Sequence, residues 1–213
     1  MSQTKFYLLD SHDAQGTIFV EKTESTCLGI MGVLGLLRGT YEHGGSVQLV
    51  PQTKRPRRAD FVGGSPSGIY LISDKFKSVL EENDVACWST YPIDLSSLQG
   101  QPITGYHGLT VNGRCGPVHW SQRDRVWIPP PVPQGQGTYG WKGFPFDKDE
   151  WDGSDIFVSS DNNTSILVTD RLKSILQQEK ITNLELTPTE DFVTSWNRQG
   201  EEVVFGKDKP PSG

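Results

Sequence analysis

Two segments of the chain carry the same order of apolar and polar positions. Residues 61–92 and residues 157–188 align without a gap at an offset of 96, and eight positions are identical. The identical pairs are Phe61/Phe157, Val62/Val158, Leu71/Leu167, Asp74/Asp170, Lys77/Lys173, Ser78/Ser174, Leu80/Leu176 and Pro92/Pro188. An ungapped match that preserves the apolar spacing indicates one supersecondary unit used twice.

Each segment predicts a β-hairpin, a short helix and a return strand. Two apolar runs separated by small or polar residues are typical of paired strands and a turn. Ser73 and Thr169 then occupy N-cap positions, each followed by an aspartate in the first turn. An apolar stripe with helical spacing comes next, formed by Phe76, Val79 and Leu80 and by Leu172, Ile175 and Leu176. Val85–Tyr91 and Leu184–Leu186 follow as return strands.

These patterns predict an α+β fold. It contains two repeated β-hairpin–helix–strand units, at 61–92 and 157–188, with a loop-rich insert of Trp, Pro and Gly between them. We predict one domain over residues 1–206 with an internal duplication, followed by a disordered tail at 207–213. Within the insert, taken as residues 99–155, Leu109–Val111 and Arg125–Ile128 are strand candidates and the remainder is predicted as long, ordered loop.

One apolar run near the N-terminus allows two interpretations. Residues 27–37 contain glycine at every third position, at Gly29, Gly32 and Gly35, which would place a glycine stripe on one helix face. Because glycine is costly inside a helix, we predict a buried, irregular turn instead. The run is also much shorter than a membrane span.

Charge and cysteine content restrict the classes of partner and compartment. The net charge is −6, which argues against nucleic acid, whose binding depends on clustered Lys and Arg. The three cysteines, Cys27, Cys87 and Cys115, form no C-x-x-C and no disulfide framework, which favours a reducing compartment. The N-terminus shows no secretory signal pattern. We therefore predict a cytoplasmic protein that binds neither nucleic acid nor membrane.

An acidic stretch at the end of the insert is the candidate partner-binding site. Residues 147–155 hold five carboxylates against one lysine, and two tryptophans flank them. Their spacing does not match an EF-hand, whose calcium loop needs a glutamate at its last position. A negative patch with aromatic anchors suits a basic protein surface, and a solvated acidic loop is the alternative. The predicted binding residues are Trp141, Asp147, Asp149, Glu150, Trp151, Asp152 and Asp155.

The sequence contains few signatures of catalysis or metal binding. The chain contains no G-x-S-x-G, S-x-x-K or C-x-x-C motif, so we predict no catalytic residue and no cofactor. Cys115 and His119 are the nearest approach to a metal pattern, but a structural zinc ion needs four ligands. We predict no metal, and interpret the pair as ordinary loop residues, although whether they share a metal stays open. An enzyme using scattered carboxylates with His107 or His119 is a further alternative.

The repeats resemble a known family. Residues Ile166–Leu176, Ile181–Pro188 and Ile69–Leu80, with the lead-in Asp155–Phe157, look like the myxobacterial-type immunity proteins of bacterial polymorphic toxin systems, formerly a domain of unknown function. In that family a glycine usually stands where this chain has Asn183, which also tolerates a left-handed backbone. The resemblance implies a non-enzymatic antitoxin that binds and occludes a cognate toxin, and it supplies no catalytic or contact residues. The alternative function is a ligand- or carbohydrate-binding module that uses exposed tryptophans.

Overall fold

The protein is mostly β. The structure, a computed structural model, describes residues 4–12, 16–23, 29–40, 44–130, 132, 135, 137–161, 164–194 and 205–206. In it, 41% of residues lie in strands and 17% in helices. The predicted α+β class is therefore wrong, as is the prediction that the insert is mostly loop. The insert contains four strands. Two of them, Tyr106–Val111 and Asp124–Ile128, overlap the predicted strand candidates, and the other two, Gly113–Cys115 and Gly137–Lys142, were not predicted.

The described elements fall into three helices, sixteen strands and one turn of 3₁₀ helix at Trp120–Gln122. The helices are α1 (Ile30–Arg38), α2 (Asp74–Glu82) and α3 (Asp170–Gln178). The first eight strands are β1 (Phe6–Ser11), β2 (Val20–Lys22), β3 (Val47–Pro51), β4 (Phe61–Ser65), β5 (Tyr70–Ser73), β6 (Trp88–Tyr91), β7 (Ile93–Leu95) and β8 (Tyr106–Val111). The rest are β9 (Gly113–Cys115), β10 (Asp124–Ile128), β11 (Gly137–Lys142), β12 (Ile156–Ser159), β13 (Ile166–Thr169), β14 (Leu184–Pro188), β15 (Val193–Thr194) and β16 (Phe205–Gly206).

The two repeated segments have the same topology, and each encloses a strand from elsewhere in the chain. Unit 1 consists of β4, β5, α2 and β6, with β8 lying between β5 and β6. Unit 2 consists of β12, β13, α3 and β14, with β1 lying between β13 and β14. All pairs within both units are antiparallel, and the registers of β8 and β1 correspond residue for residue. The N-terminal strand therefore completes the second unit.

The strand register corrects part of the sequence alignment. Phe61 pairs with Ile72, and Ile156 pairs with Val168, so Phe61 corresponds to Ile156. The alignment at a constant offset had matched Phe61 with Phe157. The difference arises because the hairpin connection in unit 2 is one residue longer. A shift of one residue moves a side chain to the opposite face of the sheet, and Phe157 indeed lies in a different core from Phe61.

The helix caps follow the predicted pattern in both units. The Ser73 hydroxyl accepts a hydrogen bond from the Phe76 amide at 3.1 Å, and Thr169 does the same for Leu172 at 3.3 Å. The apolar stripes are buried, with Ile175 half-buried. Each helix is followed by two residues with left-handed φ at equivalent positions, Asp84 and Cys87 after α2 and Lys180 and Asn183 after α3.

Equivalent basic side chains hold the two units together. Lys75 donates to the Lys180 carbonyl at 3.0 Å, and Arg171 donates to the Asn83 carbonyl at 2.6 Å. Each cation thus reaches the end of the other unit's helix, where the exposed carbonyls carry partial negative charge. The inner faces of both units, with both helices, share one apolar core.

Unit 1 continues into a nearly closed, barrel-like sheet. The sheet has seven strands in the order β6-β8-β5-β4-β2-β3-β7. Its edges, β6 and β7, are joined directly through Pro92, so the sheet curls back on itself. The barrel encloses a second apolar core to which α1 contributes Val33 and Leu36.

Helix α1 corrects the prediction of an irregular turn in residues 27–37. Packing of Val33, Leu36 and Leu37, which are all buried, stabilises the helix despite its glycines. Gly39 ends the helix with a φ of 66° and donates to the Leu36 carbonyl at 3.3 Å. The residues of the run before Gly29 lie outside the described part of the chain, as does the predicted tail at 207–213. None of the helices in the described ranges has the length and apolar character needed to cross a membrane.

Candidate functional site

The acidic stretch forms a loop that is bound tightly to the edge of unit 2. The amide of Asp152 donates to the Arg114 carbonyl at 3.0 Å, and the Arg114 amide donates to Oδ2 of Asp152 at 2.7 Å. The other carboxylate oxygen of Asp152 accepts from the Ser154 amide at 3.0 Å. The loop is therefore joined to β9 through both its backbone and its side chain.

The start of the loop is held just as closely. The amide of Asp147 donates to the Pro117 carbonyl at 3.1 Å, while its carboxylate accepts from the Asp149 amide at 3.0 Å. A Cβ at Gly116 would lie 2.5 Å from the Cβ of Asp147 and 3.0 Å from Oε2 of Glu150. Only glycine leaves room for this approach.

Four carboxylates of this loop form what we call the acidic surface: Asp147, Asp149, Glu150 and Asp152. Asp147 is half-buried and the other three are exposed. Within the described part of the chain, the ion pairs within 4.0 Å involve other carboxylates, and none joins a Lys or Arg to these four. The surface is therefore a fixed concentration of negative charge without a paired cation among the described residues.

The negative charges of the loop act on the thiol of Cys115, which is buried beside it. Burial is the largest cause that raises the pKa of Cys115 to about 12, and the negative charges of Asp152, Asp161, Asp147 and Glu150 raise it further. The thiol is thus protonated at neutral pH and is a poor nucleophile.

Asp161 was not predicted from the sequence. It lies in the connection between β12 and β13, where its carboxylate accepts from the Val118 amide at 2.9 Å and from the Trp120 indole at 3.2 Å. No local pattern marks it, because its neighbours come from a distant part of the chain.

The two predicted aromatic anchors face inward, and their role in partner binding stays a prediction. Trp141 is buried on β11, with the Arg123 guanidinium 5.6 Å from its ring centre. Trp151 is half-buried and packs edge-to-face with Phe6, with the two ring centres 5.1 Å apart. Its indole N–H donates to the Ser154 carbonyl at 3.1 Å. Removing large rings from water is favourable, and here the fold offers them apolar neighbours. Trp151 thus packs the loop against the aromatic core that includes Phe6 and Phe157.

Asp155 has a structural role. Its carboxylate accepts from the Thr169 hydroxyl at 2.6 Å and forms an ion pair with Arg171. Asp60 occupies the corresponding place in unit 1, where it accepts from the Ser73 hydroxyl at 2.8 Å. We therefore leave Asp155 out of the acidic surface.

The carbohydrate alternative needs exposed rings. Among the tryptophans that the structure describes, Trp141 is buried and the rest are half-buried, namely Trp88, Trp120, Trp127 and Trp151. A sugar stacks on an exposed ring face, and none of these five side chains is exposed. Trp196 lies outside the described residues.

A polar cluster in unit 1 is the nearest approach to catalytic geometry. His107 lies 2.7 Å from Oδ1 of Asp74, next to the Asp60–Ser73 pair. Ser73 uses its hydroxyl both to cap α2 and to bond Asp60, so it is not free to act as a nucleophile. The depression beside Ser73 measures about 130 Å³, well below the roughly 300–1,000 Å³ that is typical of ligand pockets.

Metal ligands do not gather within the described ranges. No group of three or more His, Cys, Asp or Glu side chains is placed there to hold a metal ion. Cys115 and His119 both lie in the segment around β9, but the His119 amide donates to the Pro145 carbonyl at 2.7 Å as part of the loop framework. The two residues make at most half of a zinc site.

Comparison of the sequence with known proteins gives no relative from which a role can be transferred. No protein-family model matches the chain, and no curated protein matches it significantly.

Proposed function

We propose that this chain is a non-enzymatic immunity protein that binds a cognate bacterial toxin in the cytoplasm and neutralises it by covering its surface. The observation that carries the proposal is the acidic surface: four carboxylates on an anchored loop, none paired with a lysine or arginine in the described part of the chain. The resemblance of the repeats to immunity proteins gives the partner class.

Electrostatics make such a surface suited to a basic partner. Complementary charge accelerates the encounter and excludes partners of the wrong sign. The net charge of −6 acts in the same direction over the whole molecule. A loop that is already fixed by hydrogen bonds loses little conformational entropy when a partner binds.

The use of polar side chains elsewhere also supports a binding protein. The hydroxyls of Ser73 and Thr169 cap helices. Each also donates a hydrogen bond to an aspartate, to Asp60 in unit 1 and to Asp155 in unit 2. The Cys115 thiol is buried and its pKa is raised to about 12. These groups stabilise the scaffold, which leaves the acidic surface as its main chemical feature.

The test is rescue from the toxin encoded by the adjacent reading frame, together with co-purification of the two proteins. We expect the wild-type protein to rescue growth and to retain the toxin on a column. The double variant Asp149→Lys/Glu150→Lys should lose both. The double variant Glu82→Lys/Glu179→Lys is the matched control, because it makes the same charge change at exposed positions on the ends of α2 and α3.

Two results would contradict the proposal. If the wild-type protein neither rescues cells nor retains the toxin, the immunity function is wrong. If both double variants lose the toxin, general charge explains the loss and the acidic surface is not the specific contact. If both retain the toxin, the acidic surface is not the contact either.

A further inference from the structure

The loop that leads into unit 1 carries a concentration of positive charge. Four cations in the connection between β3 and β4 form what we call the basic surface: Lys54, Arg55, Arg57 and Arg58. All four residues are exposed. Within the described ranges, no ion pair of 4.0 Å or less joins any of them to an aspartate or glutamate. On a protein whose net charge is −6, this surface is suited to an acidic partner.

Hydrogen bonds and a ring contact hold the basic surface in place. The amide of Arg57 donates to the Gly16 carbonyl at 2.8 Å, and its guanidinium donates to the Thr17 hydroxyl at 3.0 Å. The guanidinium of Arg58 lies 5.2 Å from the ring centre of Tyr106. A loop that is fixed in this way loses little conformational entropy when a partner binds.

The basic surface of unit 1 and the acidic surface beside unit 2 occupy equivalent positions in the duplicated scaffold. Because Phe61 corresponds to Ile156 in the strand register, Asp60 corresponds to Asp155. Both aspartates accept a hydrogen bond from the residue that caps the following helix. The same spacing, continued toward the N-terminus, matches three cations with three carboxylates: Lys54 with Asp149, Arg55 with Glu150 and Arg57 with Asp152. The two units therefore differ here by an inversion of charge.

The two surfaces lie at opposite ends of the pair of helices. Lys75, in the first turn of α2, donates to the carbonyl of Lys180 just beyond α3. Arg171, in the first turn of α3, donates to the carbonyl of Asn83 just beyond α2, so the two helices run antiparallel. Each surface precedes the aspartate that lies at the start of its own helix. A molecule with opposite charges at its two ends attracts a second copy end to end.

We propose that the basic surface of one molecule binds the acidic surface of a second copy, so that the protein associates head to tail. The contact is heterologous, because each molecule uses a different surface, and a dimer keeps one unused surface of each kind. A single exposed ion pair contributes little, so the contact needs several pairs and is strong only at low salt. This inference goes beyond the proposed immunity function and is tested without the toxin.

Sedimentation equilibrium of the wild-type protein tests for association. At about 20 mM salt, where charges are weakly screened, we expect the average mass to exceed that of the monomer and to rise with protein concentration. At about 500 mM salt the mass should return to that of the monomer. A protein that stays monomeric at low salt overturns the inference, whatever other anion the basic surface binds. Association that persists unchanged at high salt also overturns it, because the contact would not be electrostatic.

Charge reversal at the equivalent positions identifies the contact. Lys54→Glu/Arg55→Glu changes the basic surface, Asp149→Lys/Glu150→Lys changes the acidic surface, and each double variant alone should associate about tenfold more weakly or less. An equimolar mixture of the two variants still contains one intact surface of each kind, so it should form a 1:1 complex. That complex should not grow, because each altered surface carries two charges of each sign.

A control separates a specific contact from an effect of net charge. Lys5→Glu/Lys180→Glu makes the same charge change at exposed positions outside both surfaces and should associate like the wild-type protein. Equal loss of association in this control overturns the inference. So does a surface variant that associates as strongly as the wild-type protein, or a mixture of the two surface variants that stays monomeric. A failure of toxin rescue changes none of these results, so the two proposals stand or fall separately.

Discussion

Units 1 and 2 contain the same elements in the same register, yet different parts of the chain cover their outer faces. In unit 1 the remaining barrel strands and α1 enclose most of that face in a second core, although Ser89 at its edge is exposed. In unit 2 an aromatic cluster that includes Phe144, Phe146 and Trp151 covers only the end near Phe6. Leu8, Asp10 and Glu185 instead line an open depression of about 470 Å³.

This difference separates the positions that fix the scaffold from those that vary. The helix caps, the apolar stripes and the residues with left-handed φ that follow each helix are alike in both units. The outer-face positions are not, since Thr110 corresponds to Asp10 and Ser89 to Glu185. A duplicated scaffold thus constrains its inner faces, where both copies share one core, and leaves the outer faces free to acquire separate roles.

The largest expected effect comes from truncating the matched leucines. Leu80→Ala and Leu176→Ala should each lower the free energy of unfolding by about 2–5 kcal/mol, because both side chains are fully buried. Urea denaturation measures the loss. Similar losses support the equivalence of the two helices, and a loss of less than about 1 kcal/mol in either variant contradicts it.

Removing the capping hydroxyls should have a smaller effect. Ser73→Ala and Thr169→Ala each remove an acceptor for a helix amide and a donor to an aspartate, so we expect losses of about 0.5–2 kcal/mol. Thermal unfolding measures both. Ser78→Ala, exposed in the middle of α2, is the control and should change stability by less than about 0.5 kcal/mol. Losses no larger than that of the control would mean that the caps are dispensable.

The elements inside the repeats were predictable because they depend on local residues. Ser73 and Thr169 cap helices whose stripes recur with helical spacing, and both caps form as expected. The pairing of β1 with unit 2 was not predictable, because β1 lies far from β13 in sequence and has both faces buried, which removes the alternation that marks a half-exposed strand.

The candidate site was predictable only in part. Composition located the carboxylates of residues 147–152, but it did not show that Trp141 and Trp151 point into the protein, since ring orientation depends on tertiary packing. The juxtaposition of Asp10 and Glu185 had no signal in the sequence. Asp10 and Glu185 lie near opposite ends of the chain and become neighbours only through the pairing of β1 with β14.

The protein should lose stability at acid pH when the Asp60 carboxylate of unit 1 is protonated. Burial by itself raises the pKa of Asp60, but hydrogen bonds from Thr182 and Ser73 and the charge of Lys75 outweigh it and lower the pKa below its ordinary value of 3.8. Stability from this group is therefore present above pH 3.8 and is lost as pH falls through the lower, folded-state pKa.

The variant Asp60→Asn tests this sign. The wild-type protein should be the more stable of the two at neutral pH, and the difference should narrow as pH falls below 3.8. Urea denaturation over a pH series measures the difference. If the stability difference between the wild-type protein and Asp60→Asn stays constant into strong acid, the charge of Asp60 does not contribute to stability.

The smallest effect on stability should come from the acidic surface. Glu150→Ala removes an exposed carboxylate without an ion-pair partner in the described part of the chain, so the free energy of unfolding should change by less than about 0.5 kcal/mol. Toxin capture, by contrast, should weaken, and more so at low salt, where charge attraction is least screened. Glu82→Ala removes the same charge from α2 and should leave capture intact. Equal capture by both variants would mean that residues 147–152 do not contact the toxin.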